Sequence, residues 1–290
     1  MPQAGGSAPT GPGTWTTGMP MPTTRTELAV ALLDDKIYVA GGFGGLNSFE
    51  AYDPAANSWA ELEAMPIDVE HPSIAALRGK IYLTGGNQDR TFEYDPAMDM
   101  WTERARLVHT RYAATAVTLN DKIYLVGGTG PQAQVLQVYD PDADDWTALA
   151  SLAEVRDHVA AVVLDGKIYA LAGRAGFGSV YKTVTIYDPA TDMWTPGTDM
   201  QEGRSGFGAA VIDGRIYVAG GEVLVAPLSV RDTVEMFDPA TGMWTFKADL
   251  PMPLHGTGAV AYDGKMYLFG GVSNPASANP RMGGVNIFTP

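Results

Sequence analysis

Cysteine is missing altogether from these 290 residues. That excludes disulfide staples, thiolate nucleophiles and thiolate metal sites. It leaves the compartment open, since a well-packed domain needs no disulfide on either side of a membrane. Basic residues are few, 19 against 33 acidic ones, for a net charge of −14. A nucleic-acid partner is therefore not expected, because phosphate binding needs a basic footprint. Long apolar runs are absent as well, and no segment reads as a membrane span. Histidine is scarce, at four copies, and no local spacing of histidines and carboxylates suits a metal ion. Neither a metal nor another cofactor is expected.

What is present is a repeat. Trp15, Trp59, Trp101, Trp146, Trp194 and Trp244 are each followed 21 residues later by a Lys/Arg-Ile/Met-Tyr triplet, beginning at Lys36, Lys80, Lys122, Lys167, Arg215 and Lys265. A period of about 45 residues signals a repeat architecture. Each unit offers four short strand candidates, such as Leu28 to Leu32, Lys36 to Ala40, the run ending at Tyr52-Asp53-Pro54, and the segment holding Trp59. β-Branched and aromatic residues suit pleated, buried strands, and Asp-Pro starts a turn. Each second strand ends in a glycine pair, whose second member is glycine in all six units while its first is Ala172 in the fourth. The second position is thus the better candidate for a positive φ or a close backbone approach. No helical period follows these glycines, so they do not read as a phosphate-cradling loop.

Four-stranded units repeated about an axis make a β-propeller. The double glycine, the Tyr-Asp-Pro turn and the tryptophan seven residues beyond the tyrosine together resemble kelch repeats, and the resemblance covers residues 14–290. It implies an all-β, six-bladed propeller of four-stranded antiparallel blades. Phe288-Thr289-Pro290 ends before its tryptophan, whereas Trp15 has no Tyr-Asp-Pro before it. Residues 14–20 should therefore complete the last blade as its outer strand, which removes an exposed sheet edge. Residues 1–13, rich in Gly, Pro, Ala, Ser and Thr, read as a disordered leader without the apolar run of a signal peptide. Such a tract is either a linker or the stub of a removed signal, and the second reading leans towards a secreted or periplasmic location. A monomer is expected.

All length variation falls between the glycine pair and the third strand, where 9, 7, 10, 13, 15 and 16 residues separate the second glycine from the Tyr/Phe. Variable loops on a rigid frame concentrate binding residues. They should share a face with the links entering the first strands, and this face is the expected site. The position ten residues after each tryptophan holds Arg25, Val69, Arg111, Arg156, Arg204 and Leu254. Four guanidinium groups converging on one mouth would suit a carboxylate, although arginine here is common in kelch repeats generally. Tyr112, with Arg174, Phe177 and Arg231 from the long loops, could extend such a site. The non-repeating residues Glu70, His71, Asp157, His158 and His255 are the candidates for acid–base chemistry. Adjacent strand residues point to opposite faces, so sequence adjacency does not make these pairs interact. Glu27, His71 and His158 occupy equivalent places in three units.

The family's eukaryotic ubiquitin-ligase adaptors bind acidic peptides on the corresponding face. The resemblance thus implies a binding module for a peptide, a protein or a small acidic ligand. Another relative, the bacterial sialic-acid mutarotase, suggests an isomerase as the alternative. Two further chemistries find no support in motif: galactose-oxidase-like propellers need a cysteine crosslinked to tyrosine, and the iron motif Glu-x-x-x-Asp-x-x-x-His of specifier proteins has no match here.

Overall fold

The computed structural model describes residues 12–290, so the leader expected for residues 1–13 lies almost wholly outside the described residues. Six four-stranded antiparallel sheets follow one another along the chain. Blade one is built from Ala29–Leu33, Lys36–Ala40, Phe49–Asp53 and Ser58–Glu61 in that spatial order. The first strands of all six blades lie side by side in a closed ring, so blade one touches both blade two and blade six. In blade six, Gly258–Tyr262, Lys265–Phe269 and Val285–Thr289 are completed by Thr14–Thr17, with Trp15 opposite Phe288. The closure read from the orphan tryptophan is thus the one observed. The hydrophobic clusters lie mainly between neighbouring blades.

The repeated residues have identifiable work. Five of the six indole N–H groups donate to a backbone carbonyl at or just beyond the end of the outer strand of the preceding blade, as Trp59 does to Met19 and Trp101 to Glu63. Trp146 donates to Thr91 Oγ1 instead. The Tyr-Asp-Pro turn carries a second link. The hydroxyls of Tyr52, Tyr94, Tyr139 and Tyr187 donate to Asn57, Asp99, Asp144 and Asp192, each five residues on. Those four acceptors have φ between 46° and 52°, a region that Asn and Asp tolerate. Each also accepts a backbone N–H from the neighbouring blade's tail. In blade five the tyrosine becomes Phe237, and the acceptor becomes Gly242 at φ 68°. With no hydroxyl to receive, only the backbone requirement remains, and glycine meets it.

The glycine pair divides as its internal variation indicates. First members sit at φ 57°, 80°, 66°, 72° and 65°, with Ala172 at 48°, in or near the small left-handed region open to L-residues. Five of the six second members lie at φ 85° to 105°, beyond that region. A Cβ on Gly42 would stand 2.5 Å from the Thr26 carbonyl oxygen.

Candidate functional site

Short bridges tie the entry of a first strand to the loop after the glycine pair: Thr26 to Phe43, Tyr112 to Thr129, Asp157 to Arg174, Ser205 to Glu222 and His255 to Val272. The variable loops and the entering links therefore share one face. Blade two departs, because its loop residue Gln88 bridges Arg111 of blade three. The longer loops interlock: Gly178 N–H donates to the Leu224 carbonyl, and Ala276 N–H donates to Glu222. The loop of blade five also carries a small ribbon, Glu222–Val223 paired with Ser229–Val230.

The four repeated arginines do not converge. Arg25 and Arg204 are fully buried, and Arg111 and Arg156 nearly so. Each turns into the base of its own blade's variable loop. Arg25 donates to the Gly41 and Ser48 carbonyls, Arg156 to Ala172 and Thr183, and Arg204 to Gly220 and Thr233. Arg111 is held by the carbonyls of Thr110, Pro131, Gln132 and Val135. Arg25 pairs in addition with Glu50, and Arg204 with Glu235. The expected carboxylate clamp is corrected accordingly. These guanidinium groups satisfy loop carbonyls that the strand ladders leave over, and their donors face inward. Arg231 likewise serves Glu202 and the Gly203 carbonyl.

What does converge is the next pair of positions. Glu27, His71, Ala113, His158, Gly206 and Gly256 all have φ between 50° and 62°, or 64° for Gly256, and they form a belt around the axis. Glu27 N–H donates to Gly256, His71 to Glu27, His158 to Ala113, Gly206 to His158 and Gly256 to Gly206. The belt stands at one end of a cavity of about 430 Å³ that is otherwise lined by the small and aliphatic residues of the six first strands. Three belt side chains meet there. His71 Nε2 lies 3.1 Å from His158 Nε2, and Glu27 Oε2 lies 3.5 Å from the first and 3.8 Å from the second. Glycine at 256 is what admits the carboxylate, since a Cβ there would stand 2.6 Å from Glu27 Oε1.

The left-handed backbone also explains a pair that strand geometry argues against. At φ 50° His158 is no longer in strand alternation, and its Nδ1 reaches Asp157 Oδ1 at 2.6 Å. Arg174 then joins Asp157 at 2.9 Å and pairs with Glu222, while its Nη2 stands 3.2 Å from His158 Nε2. His255 approaches Glu27 at 3.6 Å and Glu222 at 3.5 Å. Tyr112 lays its ring 4.3 Å from that of His71, and its hydroxyl donates to Glu70. Phe43 meets the same imidazole edge-on.

Burial and neighbours set the charges. Burial pushes His71 down to about 4, Glu27 offsetting only part of it. Burial alone would raise Glu27, but His71, His158 and His255 outweigh it and hold the carboxyl well below the usual range. Asp157 is likewise held low against burial, by His158, the Gly176 N–H and Arg174. His255 is raised although burial opposes it, because Glu27 and Glu222 face it. Burial and Glu70 raise the Tyr112 hydroxyl.

Of the residues singled out in the sequence, His71, Asp157, His158, His255, Tyr112 and Arg174 share one cluster, with Glu70 at its edge. Phe177 lies outside it on the loop rim, 80% exposed, with the Arg174 guanidinium 5.7 Å from its ring centre. One member, Glu222, was not singled out. Glu222 follows a glycine pair and carries no pattern of its own. Glu27 was visible as the belt position of blade one, and its partners lie 44 and 131 residues away.

Similarity to known proteins agrees with the repeat pattern. Residues 75–271 match the family model described as the KLHDC2/KLHL20/DRC7 Kelch-repeats domain, and residues 24–66 match the Kelch motif. Kelch-like protein 41 of Mus musculus is 35% identical over 80 residues, covering 26% of this chain and 13% of that protein. Kelch-like protein terF of Aspergillus terreus is 33% identical over 90 residues, covering 26% of this chain and 19% of its own length. Among solved structures, YjhT superimposes with a TM-score of 0.82 at 15% identity, over 93% of this chain and 96% of that one. A fungal alcohol oxidase of the AA5 family in complex with copper gives 0.71 at 19% identity, over 96% and 76%. At these identities the likeness is one of fold.

Proposed function

The chain belongs to the kelch-repeat family, and from that premise we propose that it is a binding module that takes a peptide or protein segment on its variable-loop face. One observation carries the choice of face and ligand. The rim over blades four and five exposes Phe177 at 80%, Leu228 at 51% and Val225 at 39%, on loops joined by a direct hydrogen bond. Exposed aromatic and aliphatic side chains on a rigid frame are the anchors that peptide recognition uses. A small acidic ligand receives less support. Arg156, Arg174, Arg204 and Arg231 already hold carbonyls or carboxylates.

Panning a peptide display library on the purified chain tests this. Selected peptides should carry apolar anchors and lose at least tenfold in affinity to a Phe177→Asp, Leu228→Asp variant that melts at the parent's temperature. Met98, 64% exposed on an Asp-Pro turn of the opposite face, supplies the control. Binding that survives the double change and vanishes with Met98→Asp would overturn the assignment.

A second reading, an isomerase moving protons on an acidic sugar, rests on His71, His158 and Glu27 standing together at the end of the cavity. Sialic-acid mutarotation by the purified chain, abolished by His158→Gln with the fold intact, would favour it over binding alone. No conversion across a panel of acidic sugars would remove it.

A further inference from the structure

We propose that Glu27, His71 and His158 form a binding site for one divalent transition-metal ion, of which zinc fits best. The three side chains come from the same belt position of blades one, two and four, and each offers one ligand atom within 4.8 Å of the others. Their separations of 3.1, 3.5 and 3.8 Å straddle the spacing of roughly 3.4 Å between ligand atoms of a tetrahedral ion with bonds of about 2.1 Å. The point in their plane equidistant from all three atoms lies about 2.0 Å from each, and an ion roughly 0.6 Å out of that plane has three bonds of about 2.1 Å and faces a fourth ligand.

The surroundings are those of a metal ligand set. His158 has Nδ1 on the Asp157 carboxylate at 2.6 Å. That contact fixes the tautomer with its proton on Nδ1 and presents the Nε2 lone pair to the centre. Asp157 is anchored in turn by the Gly176 N–H at 3.0 Å and by Arg174. The ring of His71 is clamped between Phe43 and Tyr112 with Nε2 towards His158; among the described residues its buried Nδ1 has no hydrogen-bond partner, so His71 lacks the outer support that Asp157 gives His158. Glu27, Asp157 and Glu222 outnumber the guanidinium of Arg174 and the imidazole of His255 in the cluster, so a cation offsets a surplus of negative charge. An ion would displace two contacts, the His71 Nε2 to His158 Nε2 hydrogen bond at 3.1 Å and Arg174 Nη2 to His158 Nε2 at 3.2 Å, and Arg174 has Asp157 and Glu222 as its other partners.

Two histidines and one carboxylate leave a fourth position open, as catalytic zinc sites do and structural ones do not. All three ligand residues line the axial cavity of about 430 Å³, so the fourth ligand is a water or a small oxygen donor entering from that cavity. This separates the site from the loop rim, and a peptide on the rim need not touch it.

The test uses the full chain, without an added histidine tag and stripped with a chelator. Zinc should bind at one ion per chain by competition with a chromophoric chelator. Cobalt(II) should give the intense visible absorption of a four-coordinate ion, abolished by added zinc. His71→Gln and Glu27→Gln should each remove stoichiometric binding. Asp157→Asn, which leaves the three ligands in place, should weaken it about 10- to 100-fold. His109→Gln, outside the cluster, should change nothing. If the ligand variants fail to fold, the parent's cobalt spectrum and the Asp157→Asn affinity still decide the matter. Absence of stoichiometric zinc, cobalt or iron(II) binding by the parent would overturn the site, as would undiminished binding in a folded His71→Gln, Glu27→Gln double variant. A weak six-coordinate cobalt spectrum without preference for zinc would overturn the tetrahedral assignment.

Discussion

A buried guanidinium has its donors committed before any ligand arrives. Arg204 shows how: it and Glu235 are both fully buried and 2.7 Å apart, the same side chain reaches the carbonyls of Gly220 and Thr233, and among the described residues only its Nε has no partner. Removing one partner of such a pair strands the other charge in a medium that cannot solvate it, at a cost of about 3–5 kcal/mol. Arg204→Ala should therefore lower stability by that order in urea unfolding, and loosen the loop of blade five. A variant melting within one degree of the parent would show that the arginine had been free for a ligand. The sequence displayed four arginines in register but could not show which way they point. Recurrence alone fits a shared mouth and a shared structural duty equally well.

Within an element, chemistry crosses strands at right angles to the chain. In blade two, Tyr82 on Lys80–Gly85 stands opposite Glu93 on Thr91–Asp95, and Arg104 on Met100–Arg104 reaches Glu93 diagonally from its place opposite Thr91. The tyrosine donates to Glu93 at 2.6 Å, and Arg104 bridges it at 2.9 Å. Burial would raise the Glu93 carboxyl, but Arg104 and Tyr82 outweigh burial and hold it below its ordinary value. A depressed folded pKa gives stability that is present above the unfolded value, near 4.5, and lost as pH falls through the folded one. Glu93→Gln should be less stable than the parent at neutral pH, and the gap should narrow as pH falls below about 4.5. A constant gap from pH 7 to pH 3 would remove the carboxylate from the account. Strand content and order were legible here because Trp, Tyr-Asp-Pro and the glycine pair fix each unit. The pairing of Asp157 with His158 was not legible. Strand alternation predicts opposed side chains, and only the left-handed backbone at His158 defeats it.

At the scale of the molecule, the ring depends on four residues at one end of the chain. Thr14–Thr17 supply the outer strand of blade six, Trp15 packs 5.0 Å from Phe288 in ring-centre distance, and its indole reaches Ala248 in blade five. Removing residues 1–11 should leave the melting temperature nearly unchanged. Removing residues 1–20 should lower it by many degrees, since it exposes Val285–Thr289 as a bare edge. Equal melting temperatures for the two truncations would mean that closure adds nothing. This closure was legible in the sequence because a missing tryptophan at one end matched a surplus one at the other. The meeting of Glu27, His71 and His158 was legible only as equal offsets in three units; the ring is what turns those offsets into neighbours in space.

The belt has a further consequence. Each blade delivers one backbone position of the same left-handed conformation to the same axis, and the bonds linking them are made by main-chain atoms. The side chains there, Glu, His, Ala, His, Gly and Gly, hang on that frame without forming it. The propeller thus presents six equivalent sockets around a common centre, of which the one at Gly256 stays glycine for as long as Glu27 fills the space beside it. One codon change in a single socket rewrites the chemistry on the axis, while the other five blades keep their architecture untouched.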